Sequence, residues 1–212
     1  MIELLNIDCM EYMATQPDKS FDLAIVDPPY GIGDFNQTAS KKFHKKITWN
    51  ETIPGEEYFA ELSRVSINQI IWGANYYGFP LGKGVIVHDK TGGNRRGMPK
   101  ELSTCDIASH SFGINQKIFH YMWCGNVSEK GIDWNNKNKI HPCMKPVELY
   151  DWILTNYAKP GQRILDTHLG SGSSAIASHY FGCDFVGCEI DEDYYRAAKE
   201  RFDHETRQVA LL

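Results

Sequence analysis

The stretch Arg163-Ile164-Leu165-Asp166-Thr167-His168-Leu169-Gly170-Ser171-Gly172-Ser173-Ser174 settles the fold class. Arg163 to Asp166 reads as a short strand. Leu169 to Ser174 turns into a helix over Ala175 to Tyr180, which Gly182 closes, and Asp184 to Glu189 is the next strand. Strand, helix and strand in that order make a βαβ unit. The two glycines of the turn let the backbone come close to a ligand at the helix N-terminus. Glu189 falls about 20 residues further on, where an acid can hydrogen-bond a ribose diol. Alone, such a turn is a weak signal: any nucleotide, or a tight turn with no ligand, fits it. Ser174 and Ala175 stand where a third glycine of the dinucleotide type belongs, which argues against nicotinamide and flavin. No Gly-Lys-Ser/Thr occurs, so a P-loop is excluded, and a single-nucleoside cofactor remains.

Outward from this unit, Phe21-Asp22-Leu23-Ala24-Ile25-Val26 is an apolar run that reads as a buried parallel strand. Asp27-Pro28-Pro29-Tyr30 follows it, at the strand end where open α/β sheets bind ligands. Two prolines give up their N–H groups and hold the backbone extended. Their carbonyls are left open to an outside donor. Asp27 adds a carboxylate acceptor and Tyr30 a flat π-face. Acceptors beside a stacking ring suit a planar ligand with an exocyclic amine.

The remaining chain supplies further sheet elements. Strands are expected at Ile2 to Leu5, Gln69 to Gly73 and Gly84 to His88, and helices over Glu56 to Ile67 and from Pro146 to Tyr157. Cys105 to Phe112 and Lys117 to Trp123 read as strands, taken as antiparallel neighbours at one edge. Asp8, like Asp27, then sits at a strand's C-terminal end. The expected fold is an α/β doubly wound, mostly parallel sheet with an antiparallel edge, in a single domain over residues 1–212. Three polar stretches, 31–54, 91–103 and 125–140, lack periodicity. They carry Lys41, Lys42, Lys45 and Lys46 around Phe43, then Arg95 and Arg96, then Lys137 and Lys139 beside Trp134. Basic residues interleaved with aromatics bind a nucleic-acid backbone, and equally form ordinary surface loops.

A net charge of −5 does not advertise a nucleic-acid binder, so such binding must rest on local basic patches. The six cysteines form no Cys-x-x-Cys pair and the eight histidines no zinc-enzyme spacing, so no metal site is expected. No run is apolar enough to span a bilayer and no signal peptide is visible, which places the chain in the cytoplasm.

Asp27-Pro28-Pro29-Tyr30 resembles the amine-methylation signature of DNA amino-methyltransferases. Asp166-Thr-His-Leu-Gly170-Ser-Gly172 resembles their cofactor loop, usually Asp-Pro-Phe-x-Gly-Ser-Gly. His141-Pro-x-x-Lys145-Pro and Asn6-Ile7-Asp8-Cys9 are similar to two further segments of these enzymes. The signature precedes the cofactor loop, as in the permuted β class, and the likeness runs from residue 1 to about 203. The resemblance implies a Rossmann-like methyltransferase fold and a DNA methyltransferase that uses S-adenosylmethionine on the N6 amine of adenine. Cytosine N4, an RNA substrate, or a nucleic-acid-binding protein that no longer catalyses are the rival readings. It also implies a DNA partner, admits a homodimer, and gives roles by position. Asp27, Pro28, Pro29 and Tyr30 act on the target amine, which must be flipped out or unpaired. Asp8 and Cys9 meet the cofactor's adenine, and Glu189 its ribose. Asp166, Gly170, Ser171, Gly172 and Ser173 line its methionine end, with Lys145 near the carboxylate. Thr167 and His168 depart from the usual Pro-Phe, so the apolar contact expected at His168 is replaced by a polar ring. Asp8 reads equally as the cap of the following helix, and Tyr76 and Tyr77 as pocket walls or as core.

Overall fold

The computed structural model describes residues 1–33, 50–78, 81–93, 103–124, 127–128, 131–132 and 139–207. In chain order these form β1 (Ile2–Leu5), α1 (Cys9–Ala14), β2 (Phe21–Val26), α2 (Glu56–Val65), β3 (Ser66–Trp72), β4 (Gly84–Asp89), β5 (Cys105–His110) and β6 (Gln116–His120). Three two-residue strands follow, β7 (Trp123–Cys124), β8 (Val127–Ser128) and β9 (Gly131–Ile132). The chain continues with α3 (Val147–Tyr157), β10 (Arg163–Asp166), α4 (Ser173–Phe181), β11 (Asp184–Cys188) and α5 (Glu192–Arg207).

The main sheet has the order β1-β11-β10-β2-β3-β5-β4-β6, and β7 to β9 make a small antiparallel sheet of their own. The first five strands of that order are mutually parallel. Side-chain alternation along them feeds two cores. Leu23 and Ile25 of β2 pack with Ile164, with Leu149 and Ile153 of α3, and with Ala175 of α4. Ala24 and Val26 pack on the opposite face with Leu165, Met13 of α1, and Tyr58, Leu62 and Val65 of α2. Helices therefore cover both faces, and the near-continuous apolar runs of β2 and β10 are those of strands buried on both sides.

Several boundaries differ from the sequence expectation. α2 ends at Val65, and Ser66 and Ile67 belong to β3. Ladder pairing of Ser66 with Phe21 and Asn68 with Leu23 overrides the helical spacing there, and the Ser66 hydroxyl caps the Leu62 carbonyl at 2.5 Å. Cys105–His110 and Gln116–His120 are not neighbours. β4 lies between them, antiparallel to β5 and parallel to β6. β5 is thus the reversed strand of this half, inside the sheet, and β6 is the outer one. α5 has no counterpart in the sequence reading. Its polar composition hides it, since it buries only Tyr194 and Ala198. Among the described residues no helix is long and apolar enough to cross a membrane.

Candidate active site

From β10 the chain passes through α4 to β11 on one side; from β2 it passes through α2 to β3 on the other. The order reverses between β10 and β2, whose register pairs Ile164 with Leu23 and Leu165 with Ala24. Their C-terminal ends lie side by side at a topological switch point, where open α/β sheets form a crevice. A cavity of about 460 Å³ opens there. Asp27, Pro28, Pro29 and Tyr30 line one part of it, and His168, Leu169, Gly170, Ser171 and Glu189 another, with Lys145 between. That volume suits a ligand of nucleoside-derivative size.

The end at β2 is held by side chains. The Tyr30 hydroxyl donates to Asp27 Oδ1, and the Lys145 ammonium lies 2.5 Å from Asp27 Oδ2 and 3.3 Å from the Tyr30 oxygen. Burial pushes the Lys145 pKa down, but the Asp27 and Asp106 carboxylates outweigh it and the net shift is upward. Asn50 was not singled out by sequence. Its Oδ1 accepts from Tyr30 N at 2.8 Å and its Nδ2 donates to Gly33 O at 2.9 Å. The Pro28 carbonyl, expected to be open, already accepts from the Tyr77 hydroxyl at 2.8 Å. Tyr77 is therefore a buried brace rather than a pocket wall. Tyr76 stacks on Tyr30 at 4.8 Å between centroids. Gly73 permits this crowding: a Cβ there would meet the Tyr30 ring at 2.2 Å, and its φ is +77°.

The end at β10 is held by backbone. Gly170 N donates to Glu189 Oε2 at 2.9 Å, and Asp191 N to Glu189 Oε1 at 3.0 Å. Glu189 is buried, and desolvation raises its pKa against these bonds. Gly172, at φ +74°, caps α4. Asp166 does not reach the cavity. Its buried carboxylate accepts from Ser174 Oγ at 2.6 Å and His168 N at 3.0 Å, and burial raises its pKa to about 7. It braces the loop. Ser173 Oγ donates to the Lys145 carbonyl at 2.7 Å and likewise stands behind the lining.

Asp8 and Cys9 are not among the lining residues either. The Asp8 side chain caps α1 by accepting from Met10 N at 2.7 Å, so the capping alternative describes it. Burial pushes the Cys9 thiol up to about 12. His168 does line the cavity. Its Nδ1 is 2.9 Å from Thr167 Oγ1, which is 2.6 Å from the Tyr58 hydroxyl. Desolvation holds its pKa down at about 4, so the ring is neutral at pH 7. His141, from the His141-Pro-x-x-Lys145-Pro segment, also lines it, as do Asp191, Glu192 and Tyr194. Sequence reasoning passed over the last three because none stands in a recognisable motif spacing. Lys41, Lys42, Lys45, Lys46, Arg95, Arg96 and Lys137 lie outside the described residues, and Lys139 is partly buried.

A model of the family described as DNA methylase matches residues 99–200. The chain is similar to the type II methyltransferase M2.DpnII of Streptococcus pneumoniae, 24% identical over 183 residues that cover 83% of this chain and 57% of that protein. It is also similar to the type II methyltransferase M2.LlaDCHI of Lactococcus lactis subsp. cremoris, 23% identical over 181 residues, 82% of this chain and 56% of that one. The chain thus spans little more than half the length of these two relatives. Among solved structures, the M1.HpyAVI–SAM complex superposes with a TM-score of 0.59 at 20% identity, covering 95% of this chain and 100% of that one. That likeness shows the α/β Rossmann-like methyltransferase fold.

Proposed function

We propose that the chain is a DNA methylase, as the family model matched over residues 99–200 and the two type II methyltransferases it resembles suggest, and that it transfers a methyl group from S-adenosylmethionine to an exocyclic amine of a DNA base, the N6 amine of adenine. One observation carries this reading: the Asp27–Tyr30 acceptors and the Gly170–Glu189 turn line the same cavity. A methyl group has no sheet to cross between them.

The cavity's chemistry fits the cofactor. Its lining holds the carboxylates of Asp27, Glu189, Asp191 and Glu192 against the single ammonium of Lys145, which favours a cationic ligand. Glu189 accepts the ribose hydroxyls with lone pairs its two backbone donors leave over. Gly170 and Ser171 face the methionine end. S-adenosylmethionine, when bound, supplies an electrophilic methyl on a sulfonium.

An aromatic amine is a weak nucleophile because its lone pair is delocalised into the ring. Acceptors on both N–H bonds favour the pyramidal, nucleophilic nitrogen. Asp27 offers one and the Pro28 carbonyl the other, through the lone pair that Tyr77 does not use. Tyr30 presents a ring to the base. Asn50 fixes the Tyr30 backbone, and the barrier falls chiefly through alignment. Asp27 also stands where the proton leaves the methylated nitrogen.

The base is reached by flipping. Gly33 N donates to the Asn50 carbonyl at 3.0 Å, and Asn50 holds Tyr30 N. Lys41, Lys42, Lys45 and Lys46 lie outside the described residues, and contact with DNA phosphates is proposed for them on their sequence pattern. DNA is to be incubated with methyl-labelled cofactor, digested and resolved into nucleosides. Label in N6-methyladenine is expected. Label in N4-methylcytosine overturns the choice of amine, and no label in DNA overturns the reaction.

A further inference from the structure

Lys145 is 6% exposed. Its backbone belongs to the cofactor end, where Ser173 Oγ holds its carbonyl at 2.7 Å. Its ammonium belongs to the other end, 2.5 Å from Asp27 Oδ2. It lies 5.3 Å from the Trp72 ring centroid and 5.8 Å from that of Tyr30. It is the one Lys or Arg among the described residues that line the cavity. An α-carboxylate entering that cavity therefore has this ammonium to meet, and Asp27 already holds it. A charge-assisted hydrogen bond is about twice as strong as a neutral one. A neutral aromatic amine does not displace such a partner from Asp27; a second carboxylate competes for it on equal terms.

Resting on the methyltransferase reading, we propose that Lys145 is a positioning residue that moves between two carboxylates, that of Asp27 and that of the cofactor's methionine moiety. On Asp27 it fills the acceptor the target amine needs. Drawn to the cofactor, it leaves Oδ2 to the amine, so cofactor entry readies the acceptor end. The two carboxylates are thus negatively coupled through one ammonium, and removing either strengthens the other's hold.

Calorimetry on the full chain tests this with two probes. S-adenosylhomocysteine carries the carboxylate; 5′-methylthioadenosine is the same nucleoside thioether without the amino-acid group. Asp27→Asn is expected to tighten S-adenosylhomocysteine binding about tenfold and to leave methylthioadenosine unchanged. Lys145→Met is expected to weaken the first about tenfold and spare the second. Asp27→Asn is nearly isosteric, so that arm stands even where Lys145→Met fails to fold. If Asp27→Asn leaves both affinities unchanged, or shifts both alike, Lys145 does not exchange partners and the inference is overturned. If the unmodified chain binds neither probe, the methyltransferase reading falls, and this inference with it.

Discussion

The two strand ends that meet at the cavity are built on different principles. At the end of β2 the groups restrain one another through side chains: Tyr30 and Lys145 on Asp27, Tyr77 on Pro28, Tyr76 on Tyr30. At the end of β10 the Glu189 carboxylate is gripped by two backbone N–H groups, and the turn is shaped by glycines at positive φ. Rotamers exchange readily, whereas a braced backbone does not. On the proposed function, a nucleoside would meet a preformed seat at one end, and a base would meet groups free to trade partners at the other.

The largest expected effect separates the two ends outright. Asp27→Asn keeps the shape of the site and removes a charged acceptor. Single-turnover methyl transfer is expected to fall about 10²–10⁴-fold, with binding of S-adenosylhomocysteine no weaker. A drop in cofactor affinity of the same size would mean the ends are not separable. Gly73→Ala attacks the β2 end from behind. The new Cβ takes the space of the Tyr30 ring, and displacing a positioning group by about 1 Å costs up to ~10²-fold in rate. Cofactor affinity is expected to hold; its loss would show that Tyr30 also serves the nucleoside. Glu189→Ala breaks the other end. It leaves Gly170 N–H and Asp191 N–H without their acceptor, at about 1–3 kcal/mol for an unsatisfied buried group. Cofactor affinity should fall roughly 10–100-fold by calorimetry, and an unchanged value removes Glu189 from the ribose.

How far the sequence reveals each end follows from the same contrast. The β10 turn is local: strand, glycines, helix and Glu189 lie in one continuous stretch, and period and turn chemistry are enough to read them. The Asp27–Tyr30 element is legible as residues but not as a network. Lys145 is 118 positions from Asp27, and Tyr77 is 49 from Pro28. No periodicity reports a contact at such separation. Asp8 shows the converse, because one residue type serves a cap and a ligand contact equally well in sequence, and its bond from Met10 N establishes the cap. α5 escaped notice because two buried residues in a polar helix make a faint stripe. The pairing order of β4, β5 and β6 is likewise hidden, since an apolar run does not say which neighbour it will take.

The smallest expected effect concerns His168, where this chain carries a polar ring. Tyr58 is buried, and its hydroxyl meets Thr167 Oγ1. If Thr167 donated to Tyr58, the phenol proton would be buried with no acceptor among the described residues, costing about 1–3 kcal/mol. Tyr58 therefore donates to Thr167, Thr167 donates to His168 Nδ1, and the His168 proton rides on Nε2. The cofactor end then offers a hydrogen-bond donor on one ring edge rather than a purely apolar surface. Tyr58→Phe removes the donor to Thr167 and leaves His168 Nδ1 as the acceptor of the Thr167 proton. Stability should fall by about 1 kcal/mol in denaturant titration. Nitrogen-15 spectra should keep the Nε2–H tautomer in both the unmodified chain and the variant. An Nδ1–H tautomer already dominant in the unmodified chain would reverse the direction of the relay, and with it the polarity of that wall.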